Sequence, residues 1–121
     1  MLSAGWYLDD GQRSWRDMYR VDPRDCCRRD GREALVLGGE AAMWGERVDA
    51  SNLHAEVWPR AAAVAERLWS PRAVRDEQHA AARIEELVCR LRRRAVPASP
   101  PNGPGFCPPH AAAQQPLDSL F

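Results

Sequence analysis

From Pro59 the apolar positions take a helical period, with Ala61, Val64, Ala65 and Leu68 recurring at i, i+3, i+4 and i+7. Proline suits the first helical position, because the N–H it lacks is one that a helix start leaves unbonded. Ser70-Pro71 ends that run. A second helix is predicted over roughly 74–94, with Ile84, Leu87, Val88 and Leu91 on one stripe and Glu86 and Arg90 spaced to pair at i, i+4. Ala34-Leu35-Val36-Leu37 differs in kind. It is a short continuous apolar run stopped by Gly38-Gly39, which predicts a strand buried on both faces, as in a parallel sheet or barrel. Such a strand needs neighbours, and the chain suggests only one, near residue 7, followed by a turn at Asp10-Gly11. One helical turn is predicted around 14–20 and a charged loop over 24–31. After Arg94 the chain turns proline-rich and is expected to be extended or disordered, with 108–121 a disordered Pro/Ala/Gln tail. Two strands and two helices leave each apolar stripe without an evident cover. No closed core is therefore expected, and the chain reads as a piece of something larger.

Composition narrows the function classes. The 121 residues carry 17 basic and 17 acidic side chains, a net charge of zero, which argues against a nucleic-acid partner. Every basic residue is arginine, but the arginines lie among acids, as in Arg72-Ala73-Val74-Arg75-Asp76-Glu77, and read as a solvated surface. No apolar run approaches the ~20 residues of a spanning helix, so no transmembrane segment is expected. The first residues lack a charged stretch followed by an apolar one, so no secretory signal is expected either. The 4 cysteines include the neighbours Cys26 and Cys27, which bond to each other only with strain, leaving Cys89 and Cys107 as a candidate pair. A disulfide persists only in an oxidising compartment, which conflicts with the missing signal.

Two clusters could carry chemistry. Read as extended chain, Gly38 to Glu46 places Glu40, Ala42, Trp44 and Glu46 on one face, ~6–7 Å per two-residue step. An indole that packs on ring C–H groups beside a carboxylate that accepts from hydroxyls is the chemistry of a sugar site. Tyr7 and Asp9 share a face in the same way. Taken alone, these residues fit a buried tryptophan followed by a solvated glutamate at least as simply. His54, His79 and His110 are scattered, no Cys/His spacing suits zinc, and no serine has a matching His and acid, so no metal or cofactor is expected.

Together the motifs are far more specific. Trp6-Tyr7-Leu8-Asp9, Trp15-Arg16-Asp17-Met18-Tyr19, the run Ala34 to Asp49 with its Gly38-Gly39-Glu40-Ala41-Ala42-Met43-Trp44-Gly45-Glu46 centre, Asn52-Leu53, Trp58-Pro59-Arg60-Ala61 and Ala63 to Ser70 closely resemble the C-terminal third of the lysosomal β-hexosaminidases. These are β-N-acetylhexosaminidases of glycoside hydrolase family 20. The resemblance spans about 6–107, including Cys89 and Gly105-Phe106-Cys107.

The resemblance implies an α/β fold, a C-terminal fragment of a (β/α)8 TIM barrel with its last one or two strands and final helices, mostly helical as an isolated chain; residues 1–107 would be barrel. Active sites of such barrels lie at the C-terminal ends of the strands. It implies hydrolysis of terminal N-acetylhexosamine on glycans or glycolipids by a substrate-assisted retaining reaction, in which the 2-acetamido oxygen replaces an enzyme nucleophile. Tyr7 would hydrogen-bond that acetamido oxygen, Trp44 would wall the sugar pocket, and Glu46 and Asp9 would bind sugar hydroxyls. Cys89 and Cys107 would form the family's C-terminal disulfide, and the parent would be a lysosomal subunit dimer. The family's adjacent Asp-Glu pair, which orients the acetamido group and supplies the general acid, is expected upstream and not here. The isolated chain is accordingly expected to be inactive. The alternative is a non-catalytic helical module or short isoform that binds a full-length hexosaminidase subunit. Cys26-Cys27 and the tail beyond Cys107 fall outside the resemblance.

Overall fold

The computed structural model describes residues 5–105 and 107, and the tail expected over 108–121 lies outside them. Four helices follow one another: α1 (Trp15–Arg20), α2 (Leu53–Val57), α3 (Arg60–Trp69) and α4 (Glu77–Arg93). The starts of α1 and α4 are written in their caps. Ser14 Oγ accepts from the Asp17 N–H at 3.2 Å while the Asp17 carboxylate accepts from the Ser14 N–H at 2.9 Å, a reciprocal box that satisfies two otherwise unbonded donors. The Asp76 carboxylate accepts from the N–H groups of Gln78 (2.8 Å) and His79 (3.0 Å). Hence α4 starts at Glu77 and not at 74. Pro59 is the residue before α3, one position earlier than expected, and the Trp58–Pro59 peptide is cis.

A closed core exists, contrary to expectation. Trp6, Trp15, Met18 and Tyr19 pack against Ala62, Ala63 and Val64 of α3 and Ala80 and Ile84 of α4. Aromatic side chains supply the missing cover, since each removes far more surface from water than an aliphatic residue. The Trp6 indole N–H donates to the Met18 carbonyl at 2.9 Å, so its polar atom is satisfied inside the core. Gly39 lies so close to the Trp6 ring that a β-carbon there would overlap it. On α3 the buried face is rotated from the expected stripe: Ala65 is exposed, while Ala62, Ala63 and Arg67 are buried with Val64.

The strand expected at 34–37 is absent. Residues Glu33–Leu35 form a 3-10 turn, with Leu35 73% and Leu37 99% exposed. A doubly buried strand requires partners on its edges and faces, and this chain presents none there. Among the described residues the only β pairing is a parallel bridge between Tyr7 and Ala42, with Leu8 N–H donating to the Ala42 carbonyl at 2.8 Å and Ala42 N–H to the Trp6 carbonyl at 3.4 Å.

The proline-rich stretch after Arg94 also departs from expectation, because its first part is docked. Trp15 Nε1 donates to the Pro101 carbonyl (2.8 Å), Arg16 to Asn102 Oδ1 (2.8 Å), and the Ser99 N–H to the Trp58 carbonyl (3.1 Å). Cys89 and Cys107 are bonded, S–S 2.11 Å, as the sequence leads one to expect. Cys26 and Cys27 are joined as well, although adjacency argued against it.

Candidate functional site

The Tyr7–Ala42 bridge brings the two polar clusters together. Alternation at 6–9 sends Trp6 and Leu8 into the core, leaving Tyr7 and Asp9 on the other side, both half-buried. Loss of water around the ring raises the pKa of Tyr7, and the negative charges of Glu46 and then Asp9 raise it further. Both carboxylates thus oppose ionisation of the phenol, and the hydroxyl remains a hydrogen-bond donor. Trp44 follows the bridge by two residues and is 60% exposed. Glu46 and Glu40 are exposed.

Asp9 carries the sharpest local signal. Its Oδ1 is buried and has no hydrogen-bond partner among the described residues. It borders a cleft of about 200 Å³ with Leu8, Gly11, Arg47, Val48 and Glu56. A buried carboxylate oxygen without a donor is costly, and a ligand hydroxyl is one group that would satisfy it.

Sequence reasoning passed over Arg60. This side chain is 8% exposed, donates to the Asp10 carbonyl (2.9 Å) and the Glu56 carbonyl (2.9 Å from Nε), and pairs with the Glu56 carboxylate at 3.0 Å. Burial lowers its pKa, against the opposing pull of Glu56, Asp10 and Asp9. It thus ties the start of α3 to the turn that carries Asp9. An arginine inside an alanine-rich helix gives no hydrophobic signal, and only its place in the Trp58-Pro59-Arg60-Ala61 string could have singled it out.

The one adjacent Asp-Glu pair in the chain, Asp76-Glu77, is not at this site. Asp76 caps α4 and Glu77 accepts from Arg20 Nε at 2.6 Å. No group of His, Cys, Asp and Glu that could hold a metal ion occurs among the described residues.

Residues 4–72 match the profile described as glycosyl hydrolase family 20, catalytic domain, and the chain belongs to that family. It is 50% identical over 103 residues to the beta-hexosaminidase subunit beta of Sus scrofa, covering 83% of this chain and 19% of that protein. The human subunit beta is 46% identical over 110 residues (88% and 19%), and the mouse subunit alpha 45% over 109 (88% and 20%). The chain thus spans about a fifth of the length of the curated relatives it matches.

Proposed function

We propose that this chain is the C-terminal part of a β-N-acetylhexosaminidase barrel, residues 1–107 forming the last strands and helices, and that it supplies one wall of a site for terminal N-acetylhexosamine. The substrate's 2-acetamido oxygen attacks the anomeric carbon while an upstream carboxylic acid protonates the leaving oxygen. Tyr7 donates to that acetamido oxygen and holds it in line for attack, a positioning effect that converts binding into rate. Asp9 and Glu46 accept from the sugar hydroxyls, and Trp44 packs on the ring once the rest of the barrel is present. The observation that carries this reading is the parallel bridge between Tyr7 and Ala42, which sets the Tyr7–Asp9 segment beside the run that leads to Trp44 and Glu46, with a buried Asp9 oxygen left to be satisfied.

Without the general acid and the residue that orients the acetamido group, the 121-residue chain by itself is inactive. The substrates are N-acetylhexosamine-terminated glycans or glycolipids, the parent is a lysosomal subunit dimer, and the Cys89–Cys107 bond suits that oxidising setting. The test replaces the matched segment of the porcine subunit beta with this chain and assays a fluorogenic N-acetylglucosaminide. The graft should turn over and the isolated chain should not. An inactive graft that folds, or turnover by the isolated chain above a heat-killed control, refutes the reading.

A further inference from the structure

We infer that a second cleft, between the turn after α1 and the end of α3, binds a small oxyanion of the phosphate or sulfate type. It has a volume of about 110 Å³, and its lining includes Asp22, Arg24, Gly38, Arg67, Ser70 and Arg72. None of these residues belongs to the candidate sugar site, so the inference stands apart from the proposed function.

Charge and unmet hydrogen bonds carry it. Arg67 is only 7% exposed, and among the described residues no carboxylate pairs with it. Its Nη1 donates to the Val74 carbonyl at 2.5 Å, and its guanidinium lies 5.4 Å from the centre of the Tyr19 ring; both partners are neutral. Its Nε is buried and has no hydrogen-bond partner among the described residues. Arg72 has a similar shortfall. Its Nε donates to the Asp22 carboxylate at 2.8 Å and its Nη1 to Glu33 at 3.3 Å, but its Nη2 is buried and unbonded among the same residues. Asp22 is the one carboxylate in the lining, and it already accepts from Arg72, from Arg75 and from the Arg24 N–H. Arg24 is exposed and brings a third guanidinium to the cleft, while Ser70 brings a hydroxyl.

Buried cations are ordinarily paired and buried donors ordinarily bonded. Water would satisfy the two free donors but would leave the Arg67 charge uncompensated. An oxyanion meets both needs, because its several oxygens accept from more than one guanidinium and its charge offsets the excess of three arginines over one aspartate. The cleft is well below the ~300 Å³ at which pockets for drug-sized ligands begin, which selects a free ion or the terminal group of an ester.

The test is calorimetric titration of the chain, and of the porcine graft, with sodium phosphate and sodium sulfate, using sodium chloride at matched ionic strength as the control. Thermal melts with the same salts accompany it. Expected are one site per chain with a Kd of about 1 mM or tighter in both proteins, and a rise in melting temperature that chloride does not reproduce. Arg67→Gln should weaken the affinity at least tenfold. Arg24→Gln should weaken it severalfold, and since Arg24 is exposed it carries the test where Arg67→Gln fails to fold. Phenyl phosphate separates the two sources: a site that takes it serves a phosphate ester, and one that refuses it while taking phosphate serves the free ion, and either upholds the inference. A Kd above about 10 mM, a response that chloride matches, or affinity unchanged by the variants that fold overturns it. So does binding by the chain that is lost in the graft, which would mean that the porcine part of the protein fills the cleft. A graft that binds phosphate but does not turn over the fluorogenic substrate upholds the anion site and refutes only the proposed function.

Discussion

Asp22, its side chain only 2% exposed, accepts from Arg72 Nε at 2.8 Å, from Arg75 and from the Arg24 N–H at 3.0 Å. Burial alone would raise its pKa, but the Arg24 N–H and the two guanidinium groups outweigh that and hold it below the usual carboxylate range. A depressed folded-state value means that the unfolded chain binds the proton more readily. The stabilisation is therefore fully present above the unfolded pKa of about 3.9, and is lost as pH falls through the folded value. Asp22→Asn should cost about 1–2 kcal/mol at neutral pH, a figure discounted for the partly exposed arginines, and should flatten the acid limb of the stability curve. Urea melts at a series of pH values from neutral to acid read both effects, and an unchanged acid limb rules out Asp22 as its source. At the candidate site the split is kinetic. If the proposed function holds, Tyr7→Phe in the porcine graft should lower kcat by about 10- to 100-fold with little change in KM, as expected of a hydrogen bond that positions the attacking oxygen. Glu46→Gln should chiefly raise KM. A Tyr7→Phe effect confined to KM removes the positioning role.

The helices follow local rules, and so do their predictions. Ser14→Ala removes one half of the cap box of α1 and should cost about 1 kcal/mol in a denaturant melt. At the other end of the helical body, Ala95 follows α4 with φ at 61°, in the left-handed region, while the Val96 N–H closes back on the Leu91 carbonyl at 3.0 Å. Ala95→Gly should raise stability by up to about 1 kcal/mol, since glycine enters that region without a β-carbon clash. A loss of stability would mean that the greater freedom of glycine in the unfolded chain outweighs the relief. The helical period over Ile84 and Val88 made α4 legible, whereas the caps at Ser14 and Asp76, which set where α1 and α4 begin, are local signals that the reading by apolar period passed over. The run at 34–37 was read as a strand because its apolarity fits one, yet a strand forms only where long-range pairing is supplied, and Leu37 stands in solvent. The docking of 98–102 was hidden for the opposite reason. Proline richness excludes a helix but says nothing of the Pro101 carbonyl and Asn102 amide that Trp15 and Arg16 capture. For the candidate site, Tyr7, Asp9 and Glu46 were proposed from the motif string, whereas the parallel bridge between Tyr7 and Ala42, and the tie from Arg60 to the Asp10 carbonyl, required coordinates.

At the scale of the whole molecule, the C-terminal segment joins what the helices leave apart. It leaves α4, crosses α1 through the Trp15–Pro101 and Arg16–Asn102 bonds, and returns to α4 at Cys89, 18 positions before Cys107. A cross-link over a loop of that length stabilises a fold by about 3 kcal/mol in the chain-entropy picture, by limiting the unfolded state. It can also act in the native state, by holding 98–105 against α1 when its own few contacts would not. The two actions predict different things for Cys107→Ser. Both lower the melting temperature, and an unchanged one would show that the bond does not form in solution. If the bond acts only on the unfolded chain, the Trp15 indole N–H should exchange with solvent through global unfolding alone, its protection falling in step with the loss of stability. If it also clamps the native segment, that proton should exchange faster than the core amides of α4, because the segment lifts from α1 while the core of Trp6, Ala80 and Ile84 stays closed. The clamp is the expected result: Trp15 is 3% exposed, but its indole N–H is satisfied by a single carbonyl from a segment that the disulfide returns to the body.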